Sequence, residues 1–163
     1  MEDTFHIRTL PGYRLIGLKW EGPYTQVNEL KHTIENMYNR STELKDIIDS
    51  QKQLGLSYHT RPDGFVHYSG FQVKENTEIP LGMIDIYIPE LTYLITFHQA
   101  GDDIGKTYMK IYHWLKDCTY IPYTEPNIEY YDDLPIKHEV YPVHRDLEQP
   151  HFNIMIPITR QID

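Results

Sequence analysis

The segment "RLIGLKWEGPYTQVNEL", Arg14 to Leu30, changes its hydrophobic period at a Gly-Pro pair. Before the pair, Ile16, Leu18 and Trp20 occupy alternate positions, and this period of two is typical of a β-strand. After the pair, apolar residues recur at spacings of three and four, which places them on one stripe of a helix. They are Val27, Leu30, Ile34, Met37 and Tyr38. The segment therefore predicts a strand, a tight turn and an amphipathic helix.

The same order of elements occurs again in "ELTYLITFHQAGDDIGKTYMKIYHWL", Glu90 to Leu115. Each copy is followed by two strand candidates, "LSYHT" and "FVHYSGFQV" after the first helix, and "NIEYYDD" and "HFNIMIPITR" after the second. The last two are separated by "LPIKHEVYPVHRDLEQP", residues 134–150, which we expect to be a proline-rich loop. This pattern predicts an α+β fold of duplicated β-α-β-β repeats with a pseudo-twofold. We expect an antiparallel sheet with helices on one face and a ligand cleft on the other, in one domain over residues 1–163. The two repeats should cover about 5–75 and about 80–160.

The charge of the chain argues against direct contact with nucleic acid. The 163 residues contain 15 Lys and Arg against 24 Asp and Glu, a net charge of −9, whereas binding phosphates requires clustered cations. The single cysteine, Cys118, fits a reducing compartment. The start "MEDTFHIRTL" lacks a secretory signal, and no stretch is long and apolar enough to span a membrane. We expect a cytoplasmic protein without membrane contact.

The sequence offers no familiar catalytic or metal-binding motif. Its nine histidines are scattered without the spacing of metal ligands, and no phosphate-binding loop or serine elbow is present. We therefore expect no metal and no cofactor. The chain is rich in aromatic residues, with 14 Tyr, 5 Phe and 2 Trp. Such a composition suits a ring-lined pocket or an interface, or simply the cover of strands.

Six motifs carry a family resemblance when they are taken in order. They are "LPGYRLIGLKWEGPY", "FVHYSGFQV", "IPLGMIDIYIPELTYLITFHQAG", "YHWL", "NIEYYDD" and "FNIMIPI". In this order they resemble the GyrI-like effector-binding family, which includes ligand domains of AraC-type and MerR-type regulators. The resemblance implies an aromatic cleft with a glutamate that attracts cationic or polar amphipathic molecules. The chain has no segment for a helix-turn-helix, so it resembles stand-alone members, and we expect any DNA-binding partner to be a separate protein.

The family motif of Glu, one residue and Tyr is assigned to "IEYYDD", which makes Glu129 and Tyr131 the predicted ligand-binding pair. Strand alternation places both on one face, although an exposed strand acid is the alternative for Glu129. Tyr68 joins the set because the nearby Gly70 can leave room for a ligand, with a core tyrosine beside a bulge as the alternative. Trp114 completes it, about 80° from the centre of its helix stripe. The alternative for Trp114 is ordinary packing.

Three functions are compatible with these features, of which we predict the first, with the second and third as alternatives. The first is binding of an amphipathic, cationic or polyaromatic small molecule, as a stand-alone sensor or sequestering protein, with Glu129 as the counter-charge. The second is a GyrI-like hydrolase of reactive cyclopropane-type compounds, in which Glu129 with Tyr131 or Tyr68 activates water. The third is an interaction protein that modulates a DNA-handling partner.

Overall fold

The computed structural model describes residues 5–146 and 148–161. In this part of the chain, nine strands form one antiparallel sheet, and two α-helices pack against it. The elements are β1 (His6–Leu10), β2 (Tyr13–Pro23), α1 (Asn28–Asn39), β3 (Lys52–Arg61), β4 (Gly64–Val73), β5 (Ile84–Ile88), β6 (Leu91–His98), α2 (Ile104–Lys116), β7 (Tyr120–Pro122), β8 (Ile136–Pro142) and β9 (Phe152–Arg160).

The order of strands shows the duplication directly. It runs β1-β6-β9-β8-β3-β4-β2-β5, and β7 pairs with the end of β9. The first repeat is β2-α1-β3-β4 and the second is β6-α2-β8-β9, and the equivalent strands β3 and β8 pair with each other at the centre. The α+β fold with duplicated β-α-β-β repeats, predicted from the change of hydrophobic period, is confirmed.

Two short strands exchange places between the repeats. β1 leads into β2 but pairs with β6, and β5 leads into β6 but pairs with β2. The sequence analysis does not predict β1 or β5, because each is only five residues long, although Ile84, Ile86 and Ile88 of β5 do alternate with Asp85 and Tyr87. Each repeat therefore ends at a strand supplied by the other, which ties the two halves together.

The helix-covered face contains most of the apolar core. Under α2, Ile111 and Leu115 pack against Leu94, Ile154 and Ile156, all of them buried. Under α1, Met37 packs against the buried Ile16 and Phe71, and Leu30 packs with Trp20. Trp20 therefore lies in the core near the turn, as its strand position predicts.

The helix-free face has a smaller core with more polar atoms. Leu15, Leu56 and Ile88 are buried there, with the rings of Tyr13, Tyr58 and Tyr68 packed around them. His138 of β8 lies 1% exposed between Tyr58 and Tyr93. Neither of its ring nitrogens has a hydrogen-bond partner in the described part of the chain.

One predicted strand is wrong. "NIEYYDD" lies in a loop, where Asn127 has a φ of 65° and the Leu134 amide donates to Asp132 Oδ1 at 2.8 Å. The strand that pairs with β3 and β9 is instead β8, inside the segment expected to be a proline-rich loop. Pro135 precedes β8 and Pro142 ends it, which are positions where a strand tolerates the missing N–H of proline.

Candidate functional site

Glu139 lies on β8, near the centre of the sheet, on the face that carries both helices. Its Oε2 accepts a hydrogen bond from the Tyr108 hydroxyl of α2 at 2.5 Å. Its Oε1 accepts a second hydrogen bond from the hydroxyl of Tyr141, two residues along the same strand. Strand alternation explains this pair, because residues two apart on β8 point to the same side. The carboxyl group is thus held between the helix and the sheet by two phenols.

Burial controls the ionisation of this cluster. Loss of water around the carboxyl raises the pKa of Glu139 above its ordinary value, although the hydrogen bonds from Tyr108 and Tyr141 and the charge of Lys137 act to lower it. Burial, followed by the neighbouring carboxylate, raises the pKa of both Tyr108 and Tyr141 well above the ordinary range. The two phenols therefore stay protonated and donate to Glu139 at neutral pH.

A cavity of about 310 Å³ opens beside this carboxyl at the start of α2. Its aromatic walls are the rings of His98, Tyr141 and Phe152, with ring centroids 4.9 Å apart for His98 and Phe152 and 4.6 Å apart for Tyr141 and Phe152. Asp102 and Glu148 also line the cavity. Its lining therefore combines ring faces with negative charge, which is the environment that an organic cation requires.

Arg145 already places a cation against one of these rings. Its guanidinium carbon lies 4.5 Å from the centre of the Tyr141 ring, and its Nη1 donates to the carbonyl of Pro142 at 3.0 Å. Arg145 also lines a second cavity, about 410 Å³, beside Ile34 of α1, Gln53 and Val143. Tyr141 thus receives a cation on its ring while its hydroxyl binds Glu139.

The structure does not bring the four predicted site residues together. Glu129 is exposed in the loop between β7 and β8, and Tyr131 is 46% exposed in the same loop. A hydrogen bond with Glu129 raises the pKa of Tyr131. These two residues interact with each other as the Glu-x-Tyr spacing suggests, but they do so at the surface and away from the cavity at Glu139.

Tyr68 and Trp114 lie on opposite faces of the sheet. Tyr68 lines an open cleft of about 440 Å³ on the helix-free face. Its neighbour Gly70 faces Gly17 of β2, and a Cβ on Gly70 would lie 2.3 Å from the carbonyl oxygen of Ile16. Close approach of the two strands, rather than room for a ligand, explains this glycine. Trp114 of α2 packs against the core and stacks on Phe5 at 5.6 Å.

Sequence analysis missed Glu139, Tyr141 and Tyr108, although one signal was available. The sequence "HEVY" repeats the Glu-x-Tyr spacing at Glu139 and Tyr141, ten residues after Glu129 and Tyr131. The Pro-rich surroundings of "HEVY" favoured a loop, and the alternation of "IEYY" favoured a strand. Contact between Tyr108 and Glu139 has no local signal, because the two residues are 31 positions apart.

Comparison with known proteins agrees with the fold. The family model of the GyrI-like small molecule binding domain matches residues 3–158. The transcriptional regulator BrlR of Pseudomonas aeruginosa is 27% identical over 127 residues, which cover 75% of this chain and 46% of BrlR. The chain thus spans less than half of that relative's length.

Two solved structures show the same fold at low sequence identity. The C-terminal domain of EcmrR superposes with a TM-score of 0.69 at 13% identity, covering 99% of this chain and 100% of that domain. SAV2435 bound to tetraphenylphosphonium superposes with a TM-score of 0.63 at 13% identity, covering 96% of this chain and 94% of SAV2435. Within the described residues, neither helix is long and apolar enough to cross a bilayer. With a family match over nearly its whole length, the chain belongs to the GyrI-like small-molecule binding domains.

Proposed function

We propose that this domain binds an amphipathic organic cation in the cavity beside α2, with Glu139 as the counter-charge. The observation that carries the proposal is a carboxyl group held by Tyr108 and Tyr141 at the edge of a ring-walled cavity. A cation that leaves water needs a replacement for its hydration, and a carboxylate together with aromatic faces supplies one. The tetraphenylphosphonium bound by SAV2435 is a cation of this class.

The role predicted for Glu129 is transferred to Glu139 in this proposal. Glu129 is exposed, so water screens its charge, whereas the partly buried Glu139 acts in a medium of lower dielectric constant. The two glutamates also form a matched pair for experiment, because the same substitution can be made at both and only one of them lines the cavity.

Isothermal titration of tetraphenylphosphonium into wild type, Glu139→Gln and Glu129→Gln tests the proposal. We expect Glu139→Gln to weaken binding about tenfold or more, the factor that about 1.4 kcal/mol produces. Glu129→Gln should change it less than about twofold, because exposed charges contribute little. A neutral probe, triphenylphosphine oxide, should respond weakly to both. Equal weakening of the cation and the neutral probe, or a larger effect at Glu129, would refute the assignment.

The similarity to BrlR supports a regulatory setting for this binding. BrlR is a transcriptional regulator, and the matched region covers 46% of it. We propose that ligand binding by the domain controls transcription through a DNA-binding partner, since the net charge of −9 opposes direct contact with DNA. Recovery of a DNA-binding protein on the immobilised domain, changed by added ligand, tests this. Recovery that is unaffected by a ligand shown to bind would argue against it.

A second candidate function is hydrolysis, and the raised pKa of Glu139 is the observation that favours it. A carboxylate whose pKa is raised by burial is a stronger base than an ordinary glutamate and can take a proton from a water molecule in the cavity. The water oxygen then bonds to a carbon of a strained ring, the ring C–C bond breaks, and the released carbon takes up the proton. The test is turnover of an electrophilic cyclopropane that is lost in Glu139→Ala and kept in Glu129→Ala.

A further inference from the structure

The helix-free face carries a second cleft that the Glu139 site does not use. Strands β2, β3, β4 and β5 form one side of this cleft, and the loop that joins β7 to β8 forms the other. Its volume is about 440 Å³. We call it the tyrosine cleft. Its main lining residues are Tyr58, Tyr68, Tyr130, Ile86, Ile128 and Glu125. This volume falls within the range of small-molecule sites, roughly 300–1,000 Å³.

The rings of the tyrosine cleft are arranged as walls. Tyr58 and Tyr68 meet edge to face, with centroids 5.7 Å apart and an angle of 83° between the planes. Burial is the main cause that raises the pKa of Tyr58, and the charge of Glu125 is the second. The loop adds Tyr130 on the other side of the cleft. The sheet and the loop therefore both present aromatic rings to the cleft.

The cleft also contains a negative charge without a partner. Glu21 is balanced by Lys19 at 4.0 Å and by Arg61 at 3.4 Å. Glu125 forms no ion pair within residues 5–146 and 148–161. Its backbone amide donates to the Tyr130 hydroxyl at 3.4 Å, and its charge is one of the causes that raise the pKa of Tyr130. With Lys19 set against Glu21, the lining as a whole keeps one uncompensated carboxylate among four tyrosine rings, those of Tyr58, Tyr68, Tyr87 and Tyr130.

We infer that the tyrosine cleft is a second ligand site, which binds a flat aromatic cation between the tyrosine rings and beside Glu125. Ring faces attract a cation within about 6 Å, and the carboxylate adds a full opposite charge. Ile86 and Ile128 supply the apolar contact that favours a fused ring system over a small ammonium ion. The cleft lies on the face of the sheet opposite to Glu139, so the inference is independent of the proposed function.

The charge requirement can be isolated with two probes of the same shape. 1-Methylquinolinium is a flat cation, and 1-methylnaphthalene is its neutral counterpart, with carbon in place of the charged nitrogen. Amide NMR shifts of the 19.4 kDa chain report where each probe binds. We expect 1-methylquinolinium to shift the amides of Tyr58, Tyr68 and Tyr130. The neutral probe should bind there about tenfold more weakly, a difference of about 1.4 kcal/mol.

Variants on one loop supply the matched control. Glu125→Gln should weaken the binding of 1-methylquinolinium about fivefold to tenfold. Glu129 is an exposed residue of the same loop outside the cleft, so Glu129→Gln should change this binding less than about twofold. Glu139→Gln should leave the shifts at Tyr68 and Tyr130 intact. Equal effects of Glu125→Gln and Glu129→Gln, equal affinity for both probes, or shifts confined to residues near Glu139 would overturn the inference. In the wild-type domain, shifts at the tyrosine cleft with none near Glu139 would count against the proposed function and leave this site standing.

Discussion

The Tyr108 hydroxyl donates to Glu139 Oε2 at 2.5 Å and so joins α2 to the central strand β8 of the sheet. The hydrogen bond connects the second helix to the one glutamate in the described sheet that also receives a phenol from its own strand. An aromatic cavity opens at the same carboxyl group. A cation that binds to Glu139 in this cavity therefore competes with the hydrogen bond from Tyr108.

Tyr108→Phe should raise the pKa of Glu139 further, since the lost hydrogen bond is one of the contacts that lower it. The free energy of unfolding should fall by about 1.5–3 kcal/mol, the usual contribution of a hydrogen bond to a charged group. Chemical denaturation measures this. Tyr112→Phe is the control, because the Tyr112 hydroxyl on the same helix makes no hydrogen bond to the described residues. An equal loss in both variants would contradict the prediction.

Cation affinity should rise with pH through the pKa of Glu139, because only the ionised carboxylate attracts the ligand. Burial raises this pKa above 4.5, so the rise should come at a higher pH than for an exposed glutamate. The stability of the fold changes with pH in the opposite direction, because a carboxyl group with a raised pKa in the folded state lowers stability as the pH increases. Titrations from about pH 4 to pH 8 should therefore show rising affinity in wild type and a flat profile in Glu139→Gln. A flat wild-type profile would be inconsistent with a counter-charge at Glu139.

Arg145→Ala should strengthen cation binding, because it removes a guanidinium that lies 4.5 Å over the Tyr141 ring. A cation–π contact of about 0.5–1 kcal/mol corresponds to a gain of roughly twofold to fivefold. Arg160→Ala is the matched control, since Arg160 lies 5.7 Å over Tyr120 and removes the same charge. Equal gains in the two variants would indicate a general effect of net charge and not release of the Tyr141 ring.

Acid should destabilise the fold through His138, whose pKa burial lowers from 6.5 to about 3. When the pKa of a histidine is lowered by folding, its contribution to stability is complete at a pH above its pKa in the unfolded state. This contribution is lost as the pH falls toward its pKa in the folded state. The slope can reach about 1.4 kcal/mol per pH unit for one histidine. His138→Leu should reduce this slope between about pH 6 and pH 4. At neutral pH it should change stability by less than about 1 kcal/mol, because neither nitrogen has a partner in the described chain.

Denaturation of His138→Leu at several pH values measures both effects. His32→Leu, at an exposed position of α1, is the control. Parallel acid slopes for wild type and His138→Leu would show that this histidine does not control acid stability.

The local hydrophobic pattern is sufficient to predict the two repeats. It is insufficient to predict that β1 and β5 each pair with a strand of the other repeat. Ile16, Leu18 and Trp20 alternate within seven residues, and the helix stripe follows within the next turn, so the periods can be recognised without a partner. His6 pairs with Ile95 and Gly17 pairs with Ile84, and such pairs depend on hydrogen bonds between distant segments. No periodicity within five residues encodes that choice.

The sequence by itself determined the duplicated fold, the aromatic excess and the presence of a Glu-x-Tyr motif, because hydrophobic period and composition act over short distances. Only the tertiary structure decided which of the two Glu-x-Tyr pairs lies in a cavity. Glu129 remains in a loop and Glu139 enters the sheet because β8 has backbone partners on both sides, in β3 and β9. Burial between those strands and α2 then raises the pKa of Glu139 and brings Tyr108 to it.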